Sequence, residues 1–242
     1  MNVTYVMITN QKRTDVAKSV KNVAKELEGD DDLVVIGVTS GLPELPGVKY
    51  VEQEQWALFG NTSHMRNAGY DNSRKNELVV FMDDDIVLPN NYRQSMIDYV
   101  EGVENFTSCT PKVISCKGFA LGSLGIHQNF EIYISMFIVM TKEVFENNRW
   151  DEEHGYYYGP PDRPWPEDVQ FSYDLVRNGY PLVSTRSFYV YLNDPEFYVY
   201  VGMNRRHRID KAPYRSIKKW DEVVMTTDKD QHIAAYNTLM EI

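Results

Sequence analysis

Apolar and polar positions along the first hundred residues switch between two periods. Val3–Thr9 (VTYVMIT) is a continuous β-branched and apolar run closed by Asn10-Gln11, the pattern of a strand buried on both faces. Thr14 then stands as a candidate N-cap, and Val16, Val20, Val23, Ala24 and Leu27 recur at helical spacing until Gly29. Residues 33–39 (LVVIGVT) predict a second strand, 48–51 a short third, and 62–70 a helix. Residues 78–82 (LVVFM) predict another buried strand, which runs straight into Asp83-Asp84-Asp85. Strands separated by helices imply parallel pairing with right-handed crossovers.

The second half is less regular. Residues 106–115 and 131–141 predict strands, and 141–148 a short helix. Residues 149–166 (RWDEEHGYYYGPPDRPWP) carry glycine, four prolines and five aromatics, a composition that predicts a long functional loop. A helix is predicted over 166–178, with Pro166 at its start and Gly179 beyond its end. The tail 221–242, with Ile233, Ala234, Tyr236, Leu239 and Met240, predicts an amphipathic helix packed on the core. No internal repeat, low-complexity tract or Gly/Ser linker interrupts the chain, so it reads as one α/β domain, 1–242, whose halves share a sheet.

Composition narrows the class. A chain of 242 residues builds a core without a covalent staple. Lys and Arg number 25 against 35 Asp and Glu, and the net charge of −10 argues against a general nucleic-acid coat protein. A mean hydropathy of −0.46 with 43% hydrophobic residues fits a soluble globular protein. Two cysteines, Cys109 and Cys116, exclude a disulfide scaffold and a cysteine-built zinc site, and fit reduced thiols in a reducing compartment. The first residues lack the basic leader of a signal peptide. The longest apolar run, near 132–140, contains Ser135 and falls short of the ~20 residues of a membrane span. Stable membrane insertion is therefore not expected, and a cytoplasmic location is. Charge is unevenly placed: residues 203–219 (MNRRHRIDKAPYRSIKK) carry +6 while the rest carries −16. Such a block is a solvated face or a polyanion site, for example for a diphosphate.

Three constellations carry candidate chemistry. Asp83-Asp84-Asp85 follows an apolar strand, and the C-terminal edge of a parallel strand is where ligands bind in open α/β sheets. Adjacent carboxylates there repel unless a cation neutralises them, and Mg²⁺ or Mn²⁺ prefers such oxygens; an acidic turn is the plain alternative. Glu167-Asp168 opens a helix just after Trp165, which suits either a dipole-stabilised helix start or a general base beside an aromatic pocket. His207, within Arg205-Arg206-His207-Arg208, is either a surface residue or a metal ligand among phosphate-clamping arginines. Together the three suit attack on a group linked to a nucleotide diphosphate.

The order of these motifs resembles the GT-A-fold glycosyltransferases. Arg66-Asn67-Ala68-Gly69-Tyr70 followed by LVVFMDDDIVLPNNY is similar to their Arg-Asn-x-Gly helix and Asp-x-Asp strand end. FIVMTKEVFENNRWDEEHGYYYGPPDRPWPEDVQFSYDLVRNGY is similar to their second half, and WPEDV and RHRIDK resemble the β-1,4-galactosyltransferase group. The resemblance implies a GT-A, Rossmann-like fold with a mixed, mainly parallel central sheet flanked by helices. It assigns 1–100 to nucleotide-sugar binding, 101–220 to acceptor and catalysis, and 221–242 to a C-terminal helix. It implies Asp85, Asp83 and His207 as metal ligands for Mn²⁺ or Mg²⁺, Asp168 as the base of an inverting transfer, and Glu167 as the residue orienting the acceptor. Thr9, Asn10, Arg13, Arg66, Asn67, Asp83 and Asp84 would line the donor, favoured as a UDP-sugar. Trp165, Tyr158 and Arg206 would face sugar and acceptor, and the acceptor would be a glycan or another hydroxyl-bearing molecule, a nucleic acid included. The glycine-rich Trp loop of the galactosyltransferases is replaced here by Pro160-Pro161-Asp162-Arg163-Pro164-Trp165-Pro166, so galactose does not carry over. Competing readings are a sugar-1-phosphate nucleotidyltransferase, disfavoured because TNQKRTD lacks glycine, and a non-catalytic glycan- or nucleic-acid-binding module built on the basic block.

Overall fold

The computed structural model describes residues 1–11, 15–116, 120–121, 124–127, 130–133, 137–154, 167–193 and 229–241. The elements run β1 (Val3–Thr9), α1 (Val16–Lys25), β2 (Asp32–Gly37), β3 (Val48–Glu52), α2 (Glu54–Phe59), α3 (Thr62–Asp71), β4 (Leu78–Asp83) and β5 (Ile86–Val87). They continue with α4 (Tyr92–Gly102), β6 (Ser108–Ser115), β7 (Ala120–Leu121), β8 (Leu124–His127), β9 (Phe130–Tyr133), β10 (Phe137–Thr141) and α5 (Lys142–Asn147). A 3₁₀ turn (Glu152–His154), α6 (Glu167–Arg177), β11 (Ser184–Leu192) and α7 (Lys229–Met240) follow among the described residues.

The main sheet has the order β3-β2-β1-β4-β10-β6-β11-β5, with β7 paired to β6 at the side. Strands β3, β2, β1 and β4 are parallel, as the alternating strand and helix pattern predicts. β10 then runs antiparallel to both β4 and β6, and β6 is parallel to β11. One continuous sheet therefore joins residues from both halves of the chain. β8 and β9 form a separate antiparallel pair.

β1 shows why its sequence has no polar gap. Val3, Tyr5 and Met7 pack on one face with Val16, Val20, Tyr92 and Met96 from α1 and α4. Val6 and Ile8 pack on the other with Met65, Tyr70 and Phe171 from α3 and α6. Successive strand side chains point to opposite faces, so both must be apolar when both faces are covered.

Two expectations change. The single strand predicted over 131–141 is two strands in two sheets, β9 and β10. A continuous apolar run reports burial but not which partner each half joins. The candidate cap Thr14 lies outside the described residues, and Asp15 occupies the N-cap position of α1 without a side-chain capping bond. The cysteines are free, Cys109 in the core and Cys116 partly covered, and burial pushes the Cys109 thiol well up.

Candidate active site

The triple-aspartate corner lies where β4 ends. β1 and β4 are in register with Ile8 opposite Asp83, so Thr9 comes level with the start of the turn. Thr9 Oγ1 donates to Asp84 Oδ2 at 2.6 Å and accepts from the Gln11 N–H at 3.0 Å. The end of β2 closes in from the far side: Gly37 has φ +128°, and a Cβ there would lie 1.9 Å from the Thr9 carbonyl oxygen. Only glycine permits that approach. The three aspartates thus differ in setting. Asp83 is 29% exposed, while Asp84 and Asp85 are buried. The Asp85 carbonyl accepts from the Asn193 N–H at 2.7 Å.

Arg66 joins this corner to the acidic helix start. It stands on α3, is 1% exposed, and donates from Nη1 to Glu167 Oε1 at 2.8 Å and from Nη2 to Asp83 Oδ1 at 3.3 Å. Its guanidinium lies over the Trp150 ring, 4.5 Å from the centroid, and Trp150 stacks on Phe171 of α6 at 3.9 Å. A planar fork suits this place, because it binds two carboxylates while its face rests on an aromatic ring. Residues 101 positions apart are thereby fixed together. Glu167 is buried, and its Oε2 has no hydrogen-bond partner among the described residues.

Asp168 follows Glu167 in the first turn of α6. Its side chain is partly exposed, yet protein packs densely around the carboxyl. That burial first, and the neighbouring Glu167 second, push its pKa up to about 7 from 3.8. The Val169 N–H, donating to Oδ1 at 2.9 Å, and the Arg66 charge act in the opposite direction. A carboxyl titrating near neutrality is matched to proton transfer near pH 7.

Asn67 grips the chain leading to the aromatic loop. Its Nδ2 donates to the Trp150 carbonyl at 2.8 Å and to Glu152 Oε1 at 2.9 Å, and its Oδ1 accepts from the Trp150 N–H at 3.2 Å. Placed by the sequence at the donor, its observed contacts are with this segment. His64 Nδ1 lies 2.8 Å from Glu152 Oε2. Burial alone would raise the Glu152 carboxyl, but the bonds from Asn67 and His64 hold it below the usual range.

The structure therefore brings Asp83, Arg66 and Glu167 into direct contact, with Asp168 beside Glu167, and pairs Thr9 with Asp84. Asn10 is exposed at the end of β1. Arg13, Tyr158, Trp165, Arg206 and His207 lie outside the described residues. Among the described residues, no three His, Cys, Asp or Glu side chains form a group that could hold a metal. Sequence reading did not single out Trp150, whose position between Arg66 and Phe171 comes from packing. It also missed Asn193, which no motif marks.

No protein-family model matches the sequence, and no curated protein matches it either. Solved structures do. TarS from S. aureus aligns with 99% of this chain and 71% of that one, at 14% identity and a TM-score of 0.59. The mannosyltransferase PcManGT from Pyrobaculum calidifontis, in complex with GDP-Man and Mn²⁺, aligns over 98% of this chain and 73% of that one, at 13% identity and a TM-score of 0.57. A Drosophila β1,4-galactosyltransferase 7 aligns over 96% and 79%, at 12% identity and a TM-score of 0.47. At these identities the likeness to the first two shows the fold, the mixed and mainly parallel GT-A sheet expected from the sequence. No helix among the described residues is long and apolar enough to cross a membrane.

Proposed function

We propose that this protein is a metal-dependent glycosyltransferase, moving a sugar from a nucleotide diphosphate sugar to an acceptor hydroxyl with inversion. The observation that carries the reading is the Arg66 bridge. It ties the aspartates at the end of β4 to the start of α6, where Asp168 has the pKa a neutral-pH base needs. The GDP-Man and Mn²⁺ bound to PcManGT, a protein of this fold, are in keeping with it.

In this mechanism Asp168 takes the proton of the acceptor hydroxyl as that oxygen attacks the anomeric carbon, and the nucleotide diphosphate leaves from the opposite face. Glu167, fixed by Arg66 through Oε1, orients the acceptor. Thr9, Asn10, Arg13 and Asp84 hold the nucleotide, a UDP-sugar by preference, and Asp83 lies near the ribose. Trp165, Tyr158 and Arg206 would face sugar and acceptor. Oxygen-rich Asp83 and Asp85 fit a hard divalent cation, with His207 as a further ligand. Bound there, Mn²⁺ or Mg²⁺ supplies charge that stabilises the departing diphosphate. Residues 1–100 would form the donor half, 101–220 the acceptor half and 221–242 a C-terminal helix, in a cytoplasmic enzyme.

A panel of UDP-, GDP-, CDP- and ADP-sugars, each with Mn²⁺ and with EDTA, tests the reading by thermal shift and by slow release of free sugar. The expected result is one preferred donor, a Mn²⁺-dependent rise in melting temperature, and hydrolysis lost in EDTA. No shift and no release with any donor would overturn it.

A further inference from the structure

The C-terminal helix sits behind the aspartate corner. β5 is only two residues long and pairs antiparallel with β11, Leu192 opposite Ile86 and Tyr191 opposite Val87. Asn193 extends that ladder by one bond, its N–H donating to the Asp85 carbonyl at 2.7 Å. The Asn193 side chain is held from two sides. Its Oδ1 accepts from the Tyr236 hydroxyl on α7, and its Nδ2 lies 3.5 Å from Asp15 Oδ2 at the start of α1. Tyr236 and Leu239 are buried against Val87, Ile114 and Tyr191, and the Tyr236 ring meets Tyr191 edge-on at 5.9 Å. Burial keeps the Tyr236 hydroxyl protonated far above neutral pH, so it remains a donor.

We propose that Tyr236 is a positioning residue for the cation corner, its hydroxyl locking Asn193 and, through the Asn193 N–H, the main chain of Asp85. This rests on the reading of Asp85 as a metal ligand. A two-residue strand offers little ladder of its own, and a ligand on an unsteady turn pays ordering entropy when it binds. Outer contacts of metal ligands carry 10–100-fold of affinity when they touch the ligand side chain. Tyr236 acts one step further out, so its hydroxyl is expected to carry roughly three- to tenfold.

The test is Mn²⁺ binding by the full chain without any sugar nucleotide, read as loss of the free-ion signal in electron paramagnetic resonance. Tyr236→Phe keeps the ring against Tyr191 and removes only the hydroxyl. It should raise the dissociation constant three- to tenfold while leaving the metal-free melting temperature nearly unchanged. Leu239→Ala, which loosens the same helix without touching the hydroxyl, should lower the melting temperature and leave Mn²⁺ affinity within about twofold. Wild-type affinity in Tyr236→Phe overturns the proposal alone, as does an equal weakening in Leu239→Ala. A wild-type chain that binds no Mn²⁺ overturns the metal-dependent reading and this proposal with it.

Discussion

Replacing Arg66 by Met removes the one side chain that, among the described residues, joins the two acidic corners, and the structure sets the size of the effect. Arg66 is 1% exposed and Glu167 4% exposed, so the loss leaves a carboxylate in the interior without its cation. Breaking a buried pair in this way costs ~3–5 kcal/mol. The Asp83 contact adds little, because it is longer at 3.3 Å and Asp83, at 29% exposure, can rehydrate. Against a domain stability of ~5–15 kcal/mol, the variant should fold but be visibly weakened. The assay is a double-mutant cycle by urea unfolding with Glu167→Gln, which keeps the shape of Glu167 and removes its charge. A coupling energy of ~2–3 kcal/mol is expected, with the double variant recovering part of the stability lost by Arg66→Met. If Arg66→Met stays within about 1 kcal/mol of wild type, or the coupling is below ~0.5 kcal/mol, the bridge does not hold the site together and the reasoning fails.

Two further variants test other parts of the same site. Asp168→Asn should lower turnover by ~10²–10⁴ while donor binding survives, and wild-type kcat/KM should rise with pH through about 7; a flat profile would remove Asp168 as the base. The folded-state pKa of this acid lies above its unfolded value, so the native chain loses stability as pH rises from about 4 to about 7, by at most ~4 kcal/mol and less for its partial exposure. Asp168→Asn should therefore melt higher than wild type at pH 8 and no higher at pH 4, by calorimetry. Gly69→Ala would set a Cβ 2.4 Å from Val6 Cγ1 and 3.3 Å from Ile36 Cγ2. The overpacking should cost ~1–3 kcal/mol despite alanine's better helix propensity, read by urea unfolding.

Sequence patterns carried the parallel half of the fold because its strands are covered on both faces. The apolar run of β1 matches its observed span, Val3–Thr9, and the runs of β2 and β4 match to within two residues. β11 was not legible: Ser184–Leu192 mixes exposed and buried positions along its length, and its pairing with β6 joins distant parts of the chain. α4 was obscured at its start, where Asn91 takes a left-handed conformation after Pro89-Asn90, a turn pattern that masks the helical recurrence of Tyr92, Met96 and Val100. At the site, the chemical type of Asp83, Glu167 and Asp168 was readable from position alone. Their connection was not, because the residues that make it, Trp150 and a fully buried arginine, act through packing that no local spacing encodes.

The Arg66-Asn67-Ala68-Gly69 stretch can now be understood as one physical device. Gly69 lies one helical turn after Arg66, on the side of α3 that meets β1 and β2, and its missing Cβ lets the helix come down onto Val6 and Ile36. At that height Arg66 reaches over the end of β4 to Asp83 and across to Glu167; a helix standing further off would put both carboxylates beyond its fork. Asn67 then fixes Trp150 by main-chain bonds on both its N–H and its carbonyl, which seats the ring under the guanidinium. The glycine sets the distance, the arginine spans it and the asparagine builds the platform. Enlarging the glycine should therefore disturb the Arg66 bridge even though Gly69 touches neither acid.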